Sequence, residues 1–273
     1  MRRFIVLALV LLSGCTFFEG PQHRRYRSSL VEYLYPGEIH AQETRPAQLQ
    51  LPLKIGIAFV PAEPQPLDPQ QEERLLEIVR KSFASRDWVG EIQLIPSSYL
   101  HPRGGFDDLE QVARLMNVDV VALVSVDQIQ YNDPTLLSIL YVSVVGQYVL
   151  PGDRNDTRTL IDVAAVDVQS HAFLLRAPGS SRISGMAAPV DVERRLRHKS
   201  DEGLRLAMLD LTKNLDTAVV SLKTSVAEGR RRDIDIISRK GVSFRAGGAM
   251  DPVSLVLMLI VIAAAFVPMR RAR

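Results

Sequence analysis

Apolar and polar positions follow two rhythms along this chain, and the change between them organises it. Lys54 to Val60, KIGIAFV, is short and almost wholly apolar, which predicts a buried strand. The loop PAEPQPLDP follows, and its end carries a helix-start signature: Asp68 as cap, Pro69 at the first helical position and Gln71 completing a capping box. Leu75, Leu76, Val79 and Phe83 recur at three- and four-residue spacing, so a helix with one buried face is expected. EIQLIP, residues 91–96, predicts a second strand. After His101 to Gly105, Asp107 and Glu110 form a second box, and Leu109, Val112 and Met116 a second buried stripe. Val118 to Val126 is apolar on both faces and belongs in the middle of a sheet.

Beyond this point the period shortens to two. Ile139–Leu150, Leu160–Val168 and Ala172–Arg176 are strand-like, separated by Pro151, Gly152, Asn155 and Asp156 and then by Gln169 and Ser170, which favours an antiparallel extension. The helical rhythm returns from Leu204 through Met208, Leu211, Leu215 and Val219 to Val226, predicting a long amphipathic helix that Gly229 ends. The expected fold class is therefore α/β, with order β-α-β-α-β-β-β-β-α. Three N-terminal strands form a βαβαβ unit in a mixed sheet, and the globular domain spans residues 53–227. Residues 15–52, with prolines at 21, 36, 46 and 52, read as a tether with a short ordered patch around Tyr26, Tyr33 and Tyr35. Residues 228–246 read as a charged linker.

The two ends follow neither rhythm. Arg2 and Arg3 precede the apolar run Phe4 to Leu12, which is too short to cross about 30 Å of hydrocarbon and fits the core of a signal peptide over residues 1–14. Leu12, Ser13 and Gly14 lead into Cys15, the chain's single cysteine, and together match the bacterial lipobox. That motif implies cleavage before Cys15 and attachment of diacylglycerol to its thiol. Thr16 stands where an aspartate would favour inner-membrane retention, so an outer-membrane destination is expected. At the other end, 252–269 carries no charge and is long enough for one transmembrane helix, with Arg270, Arg271 and Arg273 behind it on the cytoplasmic side. Ala246, Gly247, Gly248 and Ala249 precede the span, and Pro252 suits the helix's first turn, so an extended, cleavable peptide is expected at the membrane face.

Glycine pair, apolar span and arginine cluster, in that order over residues 247–273, resemble the GlyGly-CTERM sorting tail. The resemblance implies cutting by rhombosortase, a rhomboid-type intramembrane serine protease. Lipobox and tail together resemble the rhombotarget lipoprotein family, as do the stretches SSLVEYLYPG, Ser28 to Gly37, and IGIAFVPAEP, Ile55 to Pro64. What this implies is a precursor held in the inner membrane by both ends, acted on by prolipoprotein-processing enzymes and a rhombosortase-type protease. It then passes to the outer membrane or cell surface with a dependence on type II secretion. The reason for two anchors is physical: a carrier can lift acyl chains from a bilayer, whereas a helix backed by three arginines stays. The element order also resembles the curli-export lipoprotein and the amino-terminal domain of the Tol-system propeller protein, an analogy of topology.

Composition adds limits. Hydrophobic content of 47% and charged content of 23% are ordinary for a globular chain. The net charge of +2 comes from the ends; without them 28 basic and 30 acidic side chains remain, which gives a nucleic-acid partner no support. One cysteine permits neither an internal disulfide nor a cysteine-based zinc site. The histidines at 23, 40, 101, 171 and 198 have no ligand spacing and read as exposed loop or turn residues; no metal and no cofactor is expected. HPRGGFDD reads as a connecting turn rather than an anion site, and GRRRD, Gly229 to Asp233, as a solvated linker rather than a lipid contact. Asp162 and Asp167 are an odd number of positions apart, so they point to opposite faces of a strand. The preferred expectation is a non-enzymatic, surface-directed lipoprotein that binds or scaffolds. The second is an oligomeric secretion or pore accessory of the curli-export type, with strands at 139–168 pairing between subunits. The third is a hydrolase with a dispersed site, for which the sequence nominates no residue. A homo-oligomer is allowed by all three.

Overall fold

The computed structural model describes residues 22–37, 45–62, 66–134, 153–187 and 192–238. In chain order its elements are β1 (Gln22–Arg27), α1 (Leu30–Leu34), β2 (Ala47–Leu51), β3 (Leu53–Phe59), α2 (Pro69–Phe83), β4 (Val89–Ile95), α3 (Gly105–Met116), β5 (Val120–Pro134), β6 (Asp153–Asp167), β7 (Phe173–Ala187), α4 (Val192–Ala227) and β8 (Ile234–Ser238). The main sheet has the order β4-β3-β5-β6-β7, with β1 on β5; β2 and β8 make a second, two-stranded parallel sheet.

β4, β3 and β5 are parallel, joined through α2 and α3 as the sequence pattern predicts. The first crossover steps outward from β3 and the second steps back past it. Right-handed connections therefore place α2 and α3 on opposite faces of the sheet. Two cores follow. Ile57, Phe59, Val120 and Val124 pack with Leu76 and Val79 of α2 and with α4 from Leu204 to Val219. On the other face Ala58, Val121 and Leu123 pack with Leu109 and Val112 of α3 and with Tyr33 and Leu34 of α1. Val118 to Val126 supplies both cores, and β5 is the sheet's central strand.

Asp68 caps α2 as expected, accepting from the backbone N–H of Gln70 at 3.0 Å and of Gln71 at 3.2 Å, with proline in the first turn. The box is not closed by Gln71, whose side chain donates instead to Asp201 Oδ1 of α4 at 2.8 Å. The box expected of Asp107 and Glu110 does not form either. Gly104 takes the cap position of α3 without a side-chain bond, because the loop's own contacts engage Asp108.

β5 and β6 pair antiparallel without interruption from Val120↔Asp167 to Pro134↔Asp153, and β7 continues the extension to Ala187. The strand expected at Ile139–Leu150 lies outside the described residues, as do the lipobox, Cys15, the glycine pair and the 252–269 span. Among the described residues no helix is long and apolar enough to cross a membrane.

Residues on either side of 53–227 also join the fold. β1 pairs with β5 from Arg27↔Asp127 to Gln22↔Asn132, beside the part of β5 that β3 leaves unpaired. Ala47, Leu49 and Leu51 of β2 and Ile234 of β8 are buried in the first core, where a tether and a charged linker were expected. Their signal is weak in sequence because each strand is five residues long and its partner lies nearly two hundred positions away.

α4 has 36 residues, about 54 Å at 1.5 Å per residue, and covers one face of β6 and β7. It begins twelve positions before the first apolar residue of the predicted repeat. Under its first three turns the sheet is polar: Gln128 Nε2 donates to Thr159 Oγ1 at 2.8 Å and to Ser200 O at 3.1 Å, and Gln130 Nε2 to Leu196 O at 2.7 Å. A helix held by side-chain amides needs no apolar stripe there. Between its halves α4 comes close to β7: a Cβ at Gly179 would stand 2.3 Å from Ala207 O and 2.5 Å from Leu211 Cβ. Gly37 meets nothing within 4 Å. Gly179→Ala is therefore expected to lower the free energy of unfolding by about 2 kcal/mol through overpacking, and Gly37→Ala to change it by less than about 0.5 kcal/mol, in urea titrations of the two variants.

Candidate functional site

The residues that sequence reasoning assigns to lipidation (Cys15, with Leu12, Ser13 and Gly14), sorting (Ala246, Gly247, Gly248, Ala249) and retention (Arg270, Arg271, Arg273) lie outside the described residues. Among the described residues the densest polar cluster gathers at the start of α3. Asp108, buried at 8% exposure, accepts from Tyr33 Oη at 3.0 Å and from the His101 backbone N–H at 2.9 Å. Its other oxygen lies 2.7 Å from His101 Nδ1. The loop reaches this geometry through left-handed backbone at Arg103, φ 58°, and Gly105, φ 70°. Gly104 must lack a side chain, since a Cβ there would fall 2.4 Å from Asp108 Oδ2. Burial, reinforced by the neighbouring Asp108 charge, drives the Tyr33 hydroxyl far above its ordinary pKa of 10.0, so it stays a proton donor.

HPRGGFDD is thus a turn clasped from inside by its own second aspartate. A carboxylate on Nδ1 with the rest of the imidazole exposed is the orientation a general base requires, and it is one that motif searching does not find. Among the described residues no hydroxyl or thiol hydrogen-bonds the His101 ring. The contacts that do form tie α1, the 97–104 loop and α3 together.

The other histidines are placed one by one. His171 sits in the β6–β7 turn at φ 58°, stacked on Phe106 at 4.3 Å between centroids, with Nε2 2.9 Å from Glu110 Oε1. It is a turn residue, as expected, but mostly covered. The His171 bond is the main cause that holds the Glu110 carboxyl below its ordinary value, with Arg114 adding to it. His198 is exposed, 3.9 Å from Glu202; the His23 side chain and all of His40 lie outside the described residues. Asp162 and Asp167 do not cooperate. Asp162 pairs with Arg176, whereas Asp167 accepts from the Ser170 N–H in the turn.

Arg231 of GRRRD is not solvated linker: it donates to the Phe173 and Leu174 carbonyls at 2.9 and 3.1 Å and pairs with Asp233, closing the start of β7's outer edge. Further along that edge Asp210 accepts from the Ser180 N–H, and Asn214 donates to Pro178 O. An apolar cavity of about 80 Å³ lies in the first core between Ile57, Val79, Trp88 and Val219. Its lining carries no polar group to orient a ligand.

Neither a protein-family profile nor a curated protein matches the chain. Among solved structures, a neuraminyllactose-binding hemagglutinin homolog from Helicobacter pylori is similar at 12% identity and TM-score 0.39, over 72% of this chain and 97% of its own. Two crystal forms of the PelC dodecamer from Paraburkholderia phytofirmans are similar at 10% identity, with TM-scores of 0.26 and 0.23, over 70% of this chain and 99% and 97% of theirs. At such scores these likenesses decide nothing about what this chain binds.

Glu72 yields a test of the local electrostatics. It is buried in the first turn of α2 and accepts from the Ser97 N–H at 2.7 Å and Ser97 Oγ at 2.8 Å. Burial nevertheless outweighs these bonds and raises its pKa above the ordinary 4.5, while burial and the Glu72 charge push Tyr26 up to about 12. A carboxyl with a raised folded pKa contributes stability that is full below its unfolded value and lost as pH rises through the folded one. Glu72→Gln should therefore gain on the parent in urea midpoint as pH is raised from about 4 to 7. A difference that stays constant across that range would refute the assignment.

Proposed function

We propose that this chain is the precursor of a surface-directed bacterial lipoprotein. It is acylated at Cys15, cut near Gly247 and Gly248 by a rhombosortase-type intramembrane protease, and serves as a non-enzymatic binding or scaffold protein. One observation carries the reading. A lipobox and a glycine pair, apolar span and arginine cluster occupy opposite ends of one chain, and both anchors are compatible with export only if the second is temporary.

The arrangement of the ends supports it. β1 begins at Gln22, seven residues after Cys15, and β8 ends at Ser238, nine before Gly247, so each signal lies within ten positions of a described strand. The two exits also lie apart. Gln22 sits beside Asn132 near the far end of β5, whereas Ser238 sits beside Leu51, next to the start of β3. Each processing enzyme thus meets its own end of the domain.

The curli-export-type alternative needs strand edges free for a second subunit. β6 has none to give, because β5 and β7 occupy both its sides from Asp153 to Val166. Among the described strands of the main sheet, β4 pairs with β3 alone and so offers an edge to a second subunit.

The test is the intact mass of protein isolated from outer membranes of its host. The expected mass is that of a chain beginning at acylated Cys15 and ending within the glycine-rich stretch. Gly247→Leu with Gly248→Leu should leave the full tail in place and hold the protein in the inner membrane. Unchanged mass and unchanged surface exposure in that variant would end the proposal, and rings in native mass spectrometry would favour the oligomeric alternative.

A further inference from the structure

The far end of the sheet, where β1 begins and α4 starts, carries a concentration of positive charge that the fold assembles from distant segments. Arg24, Arg25 and Arg27 of β1 are exposed, with no acidic residue on that strand. From Glu193 to Arg205 the helix carries five lysine or arginine side chains against three carboxylates. Arg24 holds the two segments together through a two-pronged pair with Glu193, and Arg25 pairs with Asp127. Arg195, Arg197 and Arg205 are exposed and make no ion pair among the described residues. Lys199 lies over the backbone of Gly185, where an added Cβ would come within 2.9 Å of its Nζ. Its pKa is lowered first by burial and then by the Arg195 guanidinium, which shows how crowded with cations this end is.

Gln22 marks where the chain enters this end, seven positions after Cys15. At a maximal reach of about 3.3 Å per residue the tether spans at most about 23 Å. An acylated Cys15 would therefore hold the basic end within tens of ångströms of lipid headgroups. Exposed charges act over a Debye length of about 8 to 10 Å, so contact has to be close. Guanidinium forks match phosphate oxygens in pairs, which suits phosphate-bearing lipid better than a scattered counter-ion.

We propose that this basic end, formed by β1 and the first four turns of α4, docks on anionic phospholipid headgroups beside the protein's own lipid anchor. The inference rests on acylation at Cys15 for its choice of partner. One acyl anchor and a polybasic patch then act as two membrane signals, and the carboxyl-terminal end of β5 faces the bilayer.

Protein extracted from its host would be reconstituted into vesicles of phosphatidylcholine alone or with phosphatidylglycerol added, and amide hydrogen exchange followed by mass spectrometry. Exchange over 22–27 and 192–205 should slow several-fold with the anionic lipid only, and the protection should vanish at high salt. Arg195→Glu with Arg197→Glu and Arg205→Glu should remove it, while the corresponding lysine variants should keep it and report an intact fold. No protection, equal protection on phosphatidylcholine alone, or protection that survives the glutamate variants would overturn the proposal. So would equal protection by soluble polyphosphate without vesicles, which would mark a general polyanion site. Intact mass of the same sample reads acylation separately. If Cys15 proves unmodified, the lipoprotein reading falls, and the same exchange comparison with vesicles added from solution still decides the headgroup contact.

Discussion

The approach of α4 to β7 at Gly179 is the contact on which the rest of the molecule depends. The helix runs along the antiparallel extension, and at Gly179 its backbone comes so near the backbone of β7 that no side chain fits between them. On one side of the crossing it buries Leu211, Leu215 and Val219 against the apolar core; on the other its carbonyls receive hydrogen bonds from Gln128, Gln130 and Ser181. A single helix thus joins a hydrophobic interface to a polar one. The close approach at Gly179 sets the register for both.

Polar attachment of the first half has a consequence for the surface. Because Gln128 and Gln130, which also donate to Thr159 and Thr157, bond the backbone of α4, its first three turns need bury little more than Leu196 and can place charge on every other side. The basic end exists because that stretch of sheet is polar. The opposite end is organised by carboxylates, with Asp108 inside its loop and Glu110 under His171.

Edge management points the same way. β7, the outermost strand of the extension, has Asp210, Asn214 and Arg231 bonded to its outward backbone groups and a proline at position 178. An exposed strand edge invites pairing with other chains, and these side chains occupy it. The segment read as linker, GRRRD, turns out to supply one of them. The basic end and the guarded edge arise from side chains that look like ordinary surface charge in the sequence.

Local pattern carries the βαβαβ unit, the central place of Val118–Val126 and the apolar stripe of α4, because neighbouring residues complete each of them. Long-range packing decides that β1 joins β5, that β2 pairs with β8, that α4 starts at Val192, and that Gly104 rather than Asp107 starts α3 while Asp108 clasps the preceding loop. Those outcomes depend on partners up to about two hundred positions away. A strand of five residues or a polar helix turn carries no periodicity long enough to announce them.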